Sequence, residues 1–156
     1  FNNTHISKKI KNVAICPGAS TNIKRWNLNY FLEVGNFLIK KKFTPVFIIG
    51  PNEFDMIPLI KKSLKFSKII KSTDPLKTIK ISKTCKFGIS NDTGCGHLIS
   101  ASGIPILTIF GPTSSEKFSP IGNIHNKVIS SQKNHLSKNI NLISPAEVIK
   151  AITPLL

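Results

Sequence analysis

The sequence predicts an α/β fold in which a parallel sheet is covered by helices on both faces. Short apolar runs alternate with longer stretches whose apolar residues recur at helical spacing. This alternation is typical of consecutive βαβ units, because neighbouring parallel strands need a crossover helix between them. The length of 156 residues suits one domain of this kind.

The first two predicted strands are separated by a helix. Val13 to Cys16 forms the first strand, which ends at Pro17-Gly18. Apolar residues between Tyr30 and Leu38 follow the spacing of an amphipathic helix, and the lysines at 40–42 suit its carboxyl end. The run from Pro45 to Ile49 is apolar throughout, which predicts a strand buried on both faces.

Weaker patterns follow in the middle of the chain. Residues 57–64 suggest a second helix, and Ile69-Ile70 suggests a short strand. Asp74-Pro75 suits the start of a third helix, because Asp is a good N-cap and Pro is tolerated at the first helical position. That helix would carry apolar residues from Leu76 to Ile81.

The pattern of strand, loop and helix becomes clear again in the second half. Phe87 to Ser90 is a predicted strand that runs into Asn91-Asp92-Thr93-Gly94, and helical spacing then continues to Gly103. Residues 104–110 predict another buried strand, followed by a turn at Gly111-Pro112-Thr113.

The C-terminal part begins with a polar stretch, residues 130–141, which predicts a surface loop. Ser144 then suits a helix N-cap, with Pro145 at the first helical position and Glu147 in the first turn. Apolar residues from Val148 to Ile152 belong to this last helix.

The net charge of +15 suits a nucleic acid, an anionic membrane or a phosphorylated ligand. Almost all of it is lysine, scattered among abundant isoleucine and asparagine, as a coding bias towards A and T would also produce. Proteins that read nucleic acids favour arginine, and Arg25 is the only arginine. We therefore expect no nucleic-acid partner, although a basic nucleic-acid-binding domain remains a minor alternative. Attraction to an anionic donor or membrane surface is the other explanation of the charge.

Cysteine and histidine spacing indicates neither a disulfide framework nor a metal site. Cys16, Cys85 and Cys95 are an odd set without a CxxC pair, and the four histidines do not fall at zinc-ligand spacings. We expect small cysteines packed in a reducing compartment and no metal.

No apolar run reaches the roughly 18 residues that a membrane span requires, so a cytoplasmic domain is expected. The chain begins with Phe1 and a polar, basic stretch. We interpret residues 1–12 as a linker from a missing upstream domain, and residues 13–156 as a ligand-binding domain.

Two loops at predicted strand ends carry residues suited to a ligand, since open parallel sheets bind ligands beyond the carboxyl ends of their strands. Pro17-Gly18-Ala19-Ser20 allows close backbone approach, and Lys24-Arg25-Trp26 follows with two cations that can neutralise phosphate. Gly50-Pro51-Asn52-Glu53 offers a carboxylate for a ribose or sugar hydroxyl pair. A solvated loop and a helix-capping carboxylate remain the alternatives for these two motifs.

A third loop, Asn91 to Leu98, carries the strongest indication of a ligand. Two glycines permit a tight turn, and the amides near Thr93 and Gly94 would open the next helix towards an anion such as a diphosphate. Asp92 can fix the loop or bind a hydroxyl, and His97, one turn into the helix, can face the same site. An ordinary capped turn with a buried histidine is the alternative.

The triplet Asp92-Thr93-Gly94 also occurs in aspartic proteases, but there it lies in an all-β domain, whereas here it opens a helix. The GxGxxG and GxxxxGK[ST] signatures are absent.

The order of these motifs, with Phe110-Gly111-Pro112-Thr113 after them, resembles the C-terminal domain of glycosyltransferase family 9. That family includes the ADP-heptose:lipopolysaccharide heptosyltransferases, and the likeness spans roughly residues 13–120. The resemblance implies a GT-B architecture, in which two Rossmann-like domains face a cleft. This chain would be the donor-binding half.

The resemblance also implies roles for single residues. Lys24 would meet the phosphates of the donor, and Glu53 would meet the ribose. The diphosphate and the transferred sugar would lie against the Asp92 motif. The expected catalytic residues are Lys24 and Asp92. The expected donor-binding residues are Ser20, Lys24, Arg25, Glu53, Asp92, Thr93, Gly94 and His97.

The chemistry implied by the resemblance is inverting, metal-independent transfer from an ADP-activated sugar, with ADP-heptose as the expected donor and a lipopolysaccharide core as the acceptor. No cofactor is expected. The enzyme would be cytoplasmic, with peripheral contact at the inner face of the inner membrane as an extension of that expectation. Cys95 and Phe118 depart from the family pattern, which leaves the identity of the sugar open.

The general base of the family is an aspartate of the N-terminal domain, so this chain alone is expected to bind donor and transfer little. A non-catalytic nucleotide-binding module of the same fold is the second class of function.

Overall fold

The computed structural model describes residues 9–156 of the chain. The strands are β1 (Asn12–Cys16), β2 (Thr44–Ile49), β3 (Lys68–Lys71), β4 (Cys85–Asn91), β5 (Ile106–Phe110) and β6 (Lys127–Ser130). They form one sheet in the order β3-β2-β1-β4-β5-β6, and every neighbouring pair is parallel. This confirms the predicted parallel sheet.

Helices connect the strands. They are α1 (Leu28–Lys40), α2 (Ile57–Ser63), α3 (Pro75–Ser82), α4 (Gly94–Ala101), α5 (Ser115–Phe118), α6 (Ser131–His135) and α7 (Pro145–Ile152). Short 3-10 turns lie at Asn22–Lys24, Pro51–Met56, Ile140–Leu142 and Thr153–Leu155.

The strand order is that of the Rossmann fold, in which the chain winds outwards from β1 in one direction and then returns to wind outwards in the other. The order reverses between β1 and β4, so the loops that follow these two strands leave in opposite directions. A crevice opens between such loops, and it is the usual ligand site of the fold.

Alternate residues of the central strand face two separate apolar clusters. Val13 and Ile15 belong to the cluster that also holds the buried faces of α1 and α7. Ala14 and Cys16 belong to the second cluster, together with Ile99 of α4. Because every residue of β1 after Asn12 is buried, helices cover both faces of the sheet, as the apolar runs predicted.

The prediction of a surface loop at residues 130–141 is wrong. Ser130 ends β6 and caps α6, and its neighbour Ser131 is fully buried. Ile140 is also buried, and it packs directly against Gly111, where a Cβ atom would come within 2.7 Å of the Ile140 Cβ. The polar composition of residues 130–141 gave no sign of this helix and these buried residues, because only Leu136 and Ile140 in the segment are large and apolar.

Two predicted boundaries also shift. β1 begins at Asn12, one residue inside the predicted linker 1–12, and residues 1–8 of that linker lie outside the described residues. β5 begins at Ile106 rather than at residue 104, and the intervening Pro105 has no N–H to donate to a neighbouring strand. Within residues 9–156, no helix has the length and apolar character needed to cross a membrane.

Candidate functional site

A cleft of about 280 Å³ opens at the carboxyl edge of the sheet. Its wall combines residues from the segment 16–20 after β1, the segment 50–53 after β2, the segment 72–78 after β3 and the segment 93–98 at the start of α4. Four stretches that are far apart in the chain therefore meet beside the point where the strand order reverses.

The structure brings some of the predicted site residues into this wall and leaves others outside it. Ser20, Glu53 and Thr93 line the cleft. Five other predicted residues are not part of the wall; these are Lys24, Arg25, Asp92, Gly94 and His97. Of these five, Arg25 contacts wall residues through its side chain, and Lys24 and Asp92 contact each other beside the cleft.

Arg25 holds Glu53 in place. The Arg25 Nη2 lies 3.3 Å from the Glu53 Oε1, and the same guanidinium donates two hydrogen bonds to the Ala19 carbonyl at 3.2 and 3.1 Å. The Glu53 carboxylate thus stands against Gly18, where a Cβ atom would come within 2.6 Å of the Glu53 Cδ. Glycine at position 18 is what allows this carboxylate to line the cleft.

Asp92 is held by a residue that the sequence did not single out as a ligand. The Thr113 hydroxyl donates a hydrogen bond of 2.8 Å to the Asp92 Oδ2, and the Lys24 Nζ lies 3.8 Å from the same oxygen. The Asp92 side chain is only 11% exposed, so this carboxylate has a defined orientation. Thr113 lies in the turn after β5, and the adjacency of parallel strand ends could have indicated it.

Thr93 is the N-cap of α4, and its Oγ1 accepts a hydrogen bond of 3.1 Å from the Gly96 N–H. The amides of Gly94 and Cys95 have no acceptor inside the helix, since they belong to its first turn. Thr93 and Cys95 both line the cleft, so the positive end of α4 opens at it.

The position of His97 matches neither of the two predictions made from the sequence, a side chain facing the ligand or a buried histidine. Its side chain is exposed, which excludes the buried histidine of an ordinary capped turn, and it is not part of the cleft wall. The preceding residue, Gly96, faces the sheet and packs against Ser90, where a Cβ atom would approach the Ser90 Oγ. This close packing turns the His97 face of α4 away from the sheet.

Asn91 ties the loops of the cleft together, and sequence reasoning missed it. Its side chain is fully buried, and its Nδ2 donates to the carbonyls of Pro17 and Gly18 at 3.0 and 3.2 Å. Its Oδ1 accepts from the Trp26 N–H at 3.0 Å. A buried amide directly before the Asp92 motif was visible in the sequence, but its partners lie more than sixty residues away.

The loop after β3 is the other part of the wall that was missed. The Ser72 and Thr78 hydroxyls are hydrogen-bonded at 2.8 Å, and Asp74 caps α3 through the Leu76 N–H at 2.9 Å. Asp74-Pro75 had been identified only as a helix start. The rule that ligands bind beyond strand ends would have included it, had the short strand β3 been placed next to β2.

Two thiols also face the cleft, Cys16 and Cys95. A hydrogen bond with the Cys95 thiol, together with burial, raises the pKa of the Cys16 thiol well above its usual value. Cys16 therefore stays protonated at neutral pH. Within residues 9–156, no three His, Cys, Asp or Glu side chains are grouped so that they could hold a metal ion.

The fold and the position of the cleft define a Rossmann-like class of domain. A family model described as glycosyltransferase family 9 (heptosyltransferase) matches residues 1–144. The chain belongs to this family.

A lipooligosaccharide heptosyltransferase 2 from Campylobacter jejuni is 31% identical over 136 residues, which cover 83% of this chain and 43% of that protein. The chain therefore spans less than half the length of this curated relative. Escherichia coli heptosyltransferase WaaC with ADP superposes with a TM-score of 0.83 at 16% identity, over 94% of this chain and 44% of that one. A family 9 glycosyltransferase from Veillonella parvula gives a TM-score of 0.81 at 22% identity, over 92% of this chain and 45% of that one. These low identities establish the fold alone.

Proposed function

We propose that this chain is the donor-binding half of a GT-B heptosyltransferase, with residues 13–156 as the nucleotide-sugar domain and residues 1–12 as the connection to an acceptor domain. The observation that carries the proposal is the convergence of the Glu53 carboxylate, the Ser20 hydroxyl and the open N-terminus of α4 on one cleft. The family membership supplies the reaction class.

The donor would lie across the cleft with its ribose at Glu53. A carboxylate can accept hydrogen bonds from two neighbouring hydroxyls, and Arg25 keeps this one oriented before the ligand arrives. Ile48, Pro75 and Leu98 give the cleft an apolar side that suits a nucleobase. An ADP-activated sugar is the proposed donor, and ADP-heptose is its specific form.

The diphosphate would lie at the N-terminus of α4, where helix amides and the helix dipole favour an anion. Lys24 is 28% exposed beside Asp92, so its ammonium can approach an incoming phosphate without a large change of backbone. We propose that Lys24 stabilises the charge that develops on the departing diphosphate, while Asp92 orients Lys24 and a sugar hydroxyl.

Transfer would invert the anomeric carbon without a metal ion. Lys24 and the α4 amides supply the positive groups that a metal would otherwise provide. The general base would come from the acceptor domain, so this chain alone would bind donor and transfer little.

The acceptor would be a lipopolysaccharide core or a related glycolipid, reached through the other domain. The protein would be cytoplasmic, with peripheral contact at the inner face of the inner membrane. A non-catalytic nucleotide-binding module of the same fold is the second candidate, since the cleft alone would serve it equally well.

Calorimetric titration of the chain with ADP, GDP and UDP in the presence of a chelator tests the donor site. We expect a preference for ADP that Glu53→Ala and Thr93→Ala both weaken. Glu33→Ala removes an exposed carboxylate from α1 and is the matched control. Failure of all three nucleotides to bind, or equal losses for Glu33→Ala and Glu53→Ala, would reject the assignment.

A second measurement separates the enzyme from the non-catalytic module. The chain joined to its upstream half should transfer heptose from ADP-heptose to a core acceptor, and Lys24→Ala should abolish transfer while donor binding falls less. Donor binding without transfer in the joined protein would favour the non-catalytic module.

A further inference from the structure

A positive surface without neighbouring carboxylates lies along one edge of the sheet. β3 is the strand at this edge, and α2 and α3 flank it. Residues 57–86, which span these three elements, contain nine lysines and one acidic residue, Asp74. Among residues 9–156, none of these nine lysines has a carboxylate within salt-bridge distance.

Two adjoining grooves of about 370 and 190 Å³ shape this surface. Lys61 and Ile69 line both of them, so they form one continuous feature. Lys65 rims the smaller groove. The larger groove has an isoleucine floor and a lysine rim, made of Ile57, Ile69, Ile81, Lys61, Lys71 and Lys77. We call these residues together with Lys65 the basic edge surface.

Two lysines of this surface line the same groove. The Lys77 ammonium donates a hydrogen bond of 3.0 Å to the Lys71 carbonyl, and both residues line the larger groove. The Lys71 ammonium lies 5.1 Å from the centre of the Phe54 ring. Next to Lys65, in the turn between α2 and β3, Phe66 is 78% exposed. Lysines without a carboxylate partner and an exposed aromatic ring therefore belong to the same segment of the chain.

We propose that the basic edge surface docks the chain on an anionic lipid bilayer. Lysine ammonium groups attract the phosphates of anionic headgroups, and an exposed ring such as that of Phe66 can enter the boundary between headgroups and acyl chains. Branched aliphatic floors do not stack on bases, and Arg25, the only arginine of the chain, is engaged with Glu53 at the cleft. These features favour a bilayer over a nucleic acid.

The inference specifies the face for the membrane contact proposed above, and it does not depend on the donor site. Docking by the edge of β3 would leave the carboxyl edge of the sheet, where the cleft opens, free for a nucleotide. Membrane binding and donor binding should therefore be separable by mutation.

Co-sedimentation of the chain with phosphatidylcholine vesicles, with and without added phosphatidylglycerol, tests the proposal. The variant Lys61→Gln/Lys65→Gln/Lys71→Gln should lose about a hundredfold in partitioning to the anionic vesicles, since each lysine near such a surface contributes roughly a factor of five. The control Lys40→Gln/Lys138→Gln/Lys150→Gln removes three exposed lysines from elsewhere and should lose much less. Phe66→Ser should weaken binding even where salt has screened the charges.

Equal losses for both triple variants would overturn the proposal, because the attraction would then come from net charge alone. Equal binding to neutral vesicles would also overturn it, as would tight binding to duplex DNA or RNA without binding to vesicles. An ADP titration of the edge variant should give the dissociation constant of the wild type. An unchanged dissociation constant for ADP would show that the edge variant loses membrane binding alone and keeps the donor site intact.

Discussion

The Thr113 hydroxyl donates a 2.8 Å hydrogen bond to the Asp92 Oδ2, and it thereby joins the turn after β5 to the loop after β4. The same oxygen faces the Lys24 ammonium at 3.8 Å. One carboxylate thus links three loops that leave different parts of the sheet. Its orientation depends on Thr113 because the ammonium alone is at the outer limit of an ion pair.

Thr113→Val should release Asp92 while keeping the shape of the side chain. A hydrogen bond to a charged group contributes roughly 1.5–3 kcal/mol, so we expect ADP affinity to fall about tenfold. Thr113→Ser keeps the hydroxyl and should restore most of the affinity. Calorimetric titration measures both, and similar affinities for the Val and Ser variants would show that the hydroxyl does not position the site.

Gly18 and Glu53 should be coupled. A Cβ atom at position 18 would meet the Glu53 Cδ at 2.6 Å, so Gly18→Ala should push the carboxylate out of the cleft and weaken ADP binding. In a Glu53→Ala background, the atoms that would clash are gone, and Gly18→Ala should then have little further effect. Additive losses in the double variant would contradict a steric coupling between the two residues.

Asn91 should contribute to stability as well as to the site. Asn91→Ala would leave the Trp26 N–H and the Pro17 and Gly18 carbonyls without their partner, at a cost of about 3 kcal/mol in the free energy of unfolding. Asn134→Ala, at an exposed position of α6, is the control and should be close to neutral. Urea denaturation provides the comparison, and a loss under about 1 kcal/mol for Asn91→Ala would mean that water replaces the amide.

The start of α7 should depend on its capping box. Ser144 Oγ accepts from the Glu147 N–H at 3.2 Å, and Glu147 Oε2 accepts from the Ser144 N–H at 2.7 Å. Ser144→Ala should cost about 1 kcal/mol of stability. Ser63→Ala, at the exposed end of α2, should cost much less. Thermal or urea unfolding measures the loss of stability in each variant. Equal losses for Ser144→Ala and Ser63→Ala would mean that the capping box does not stabilise α7.

Glu147 should make stability depend on pH. Partial burial acts to raise the pKa of its carboxyl, but hydrogen bonds from Ser144 and His135 outweigh this and lower the pKa. Because folding favours the ionised carboxylate, Glu147 adds to the free energy of unfolding. This contribution is complete above the pKa of an unfolded glutamate, about 4.3, and it is lost as pH falls through the lower pKa of the folded state. Wild type should therefore exceed Glu147→Gln in stability at pH 7, and the difference should shrink in acid. A difference that does not change with pH would contradict this linkage.

Much of the fold was predictable because its elements carry strong local patterns. The apolar runs of β1, β2, β4 and β5 can only be buried on both faces, which requires a parallel sheet between layers of helices. The caps at Asp74, Thr93 and Ser144 begin helices where expected, since each side chain accepts from a backbone amide two or three residues later. β6 was missed because its four residues include only two apolar ones, and one of these, Val128, is 42% exposed.

The candidate site was predictable only in part. Three of the predicted residues line the cleft, namely Ser20, Glu53 and Thr93. Each follows a strand, and the carboxyl ends of parallel strands lie at one edge of the sheet. The pairing of Arg25 with Glu53 and of Lys24 with Asp92 could not be foreseen, since it depends on side-chain reach between loops. His97 was expected at the site on sequence spacing, but the close packing of Gly96 on Ser90 sets which side of α4 faces solvent.

The sequence by itself determined the α/β class, the order of β1 to β5 with the helices α1 to α4 and the last helix α7, and the family to which the chain belongs. These follow from local periodicity, caps and motif order, which need no knowledge of distant contacts. Only the tertiary structure decided that Asn91 bonds the β1 loop, that Thr113 orients Asp92, and that lysines of α2, β3 and α3 share one edge. Such contacts join residues far apart in sequence, and their geometry exists only once the sheet has brought the strand ends together.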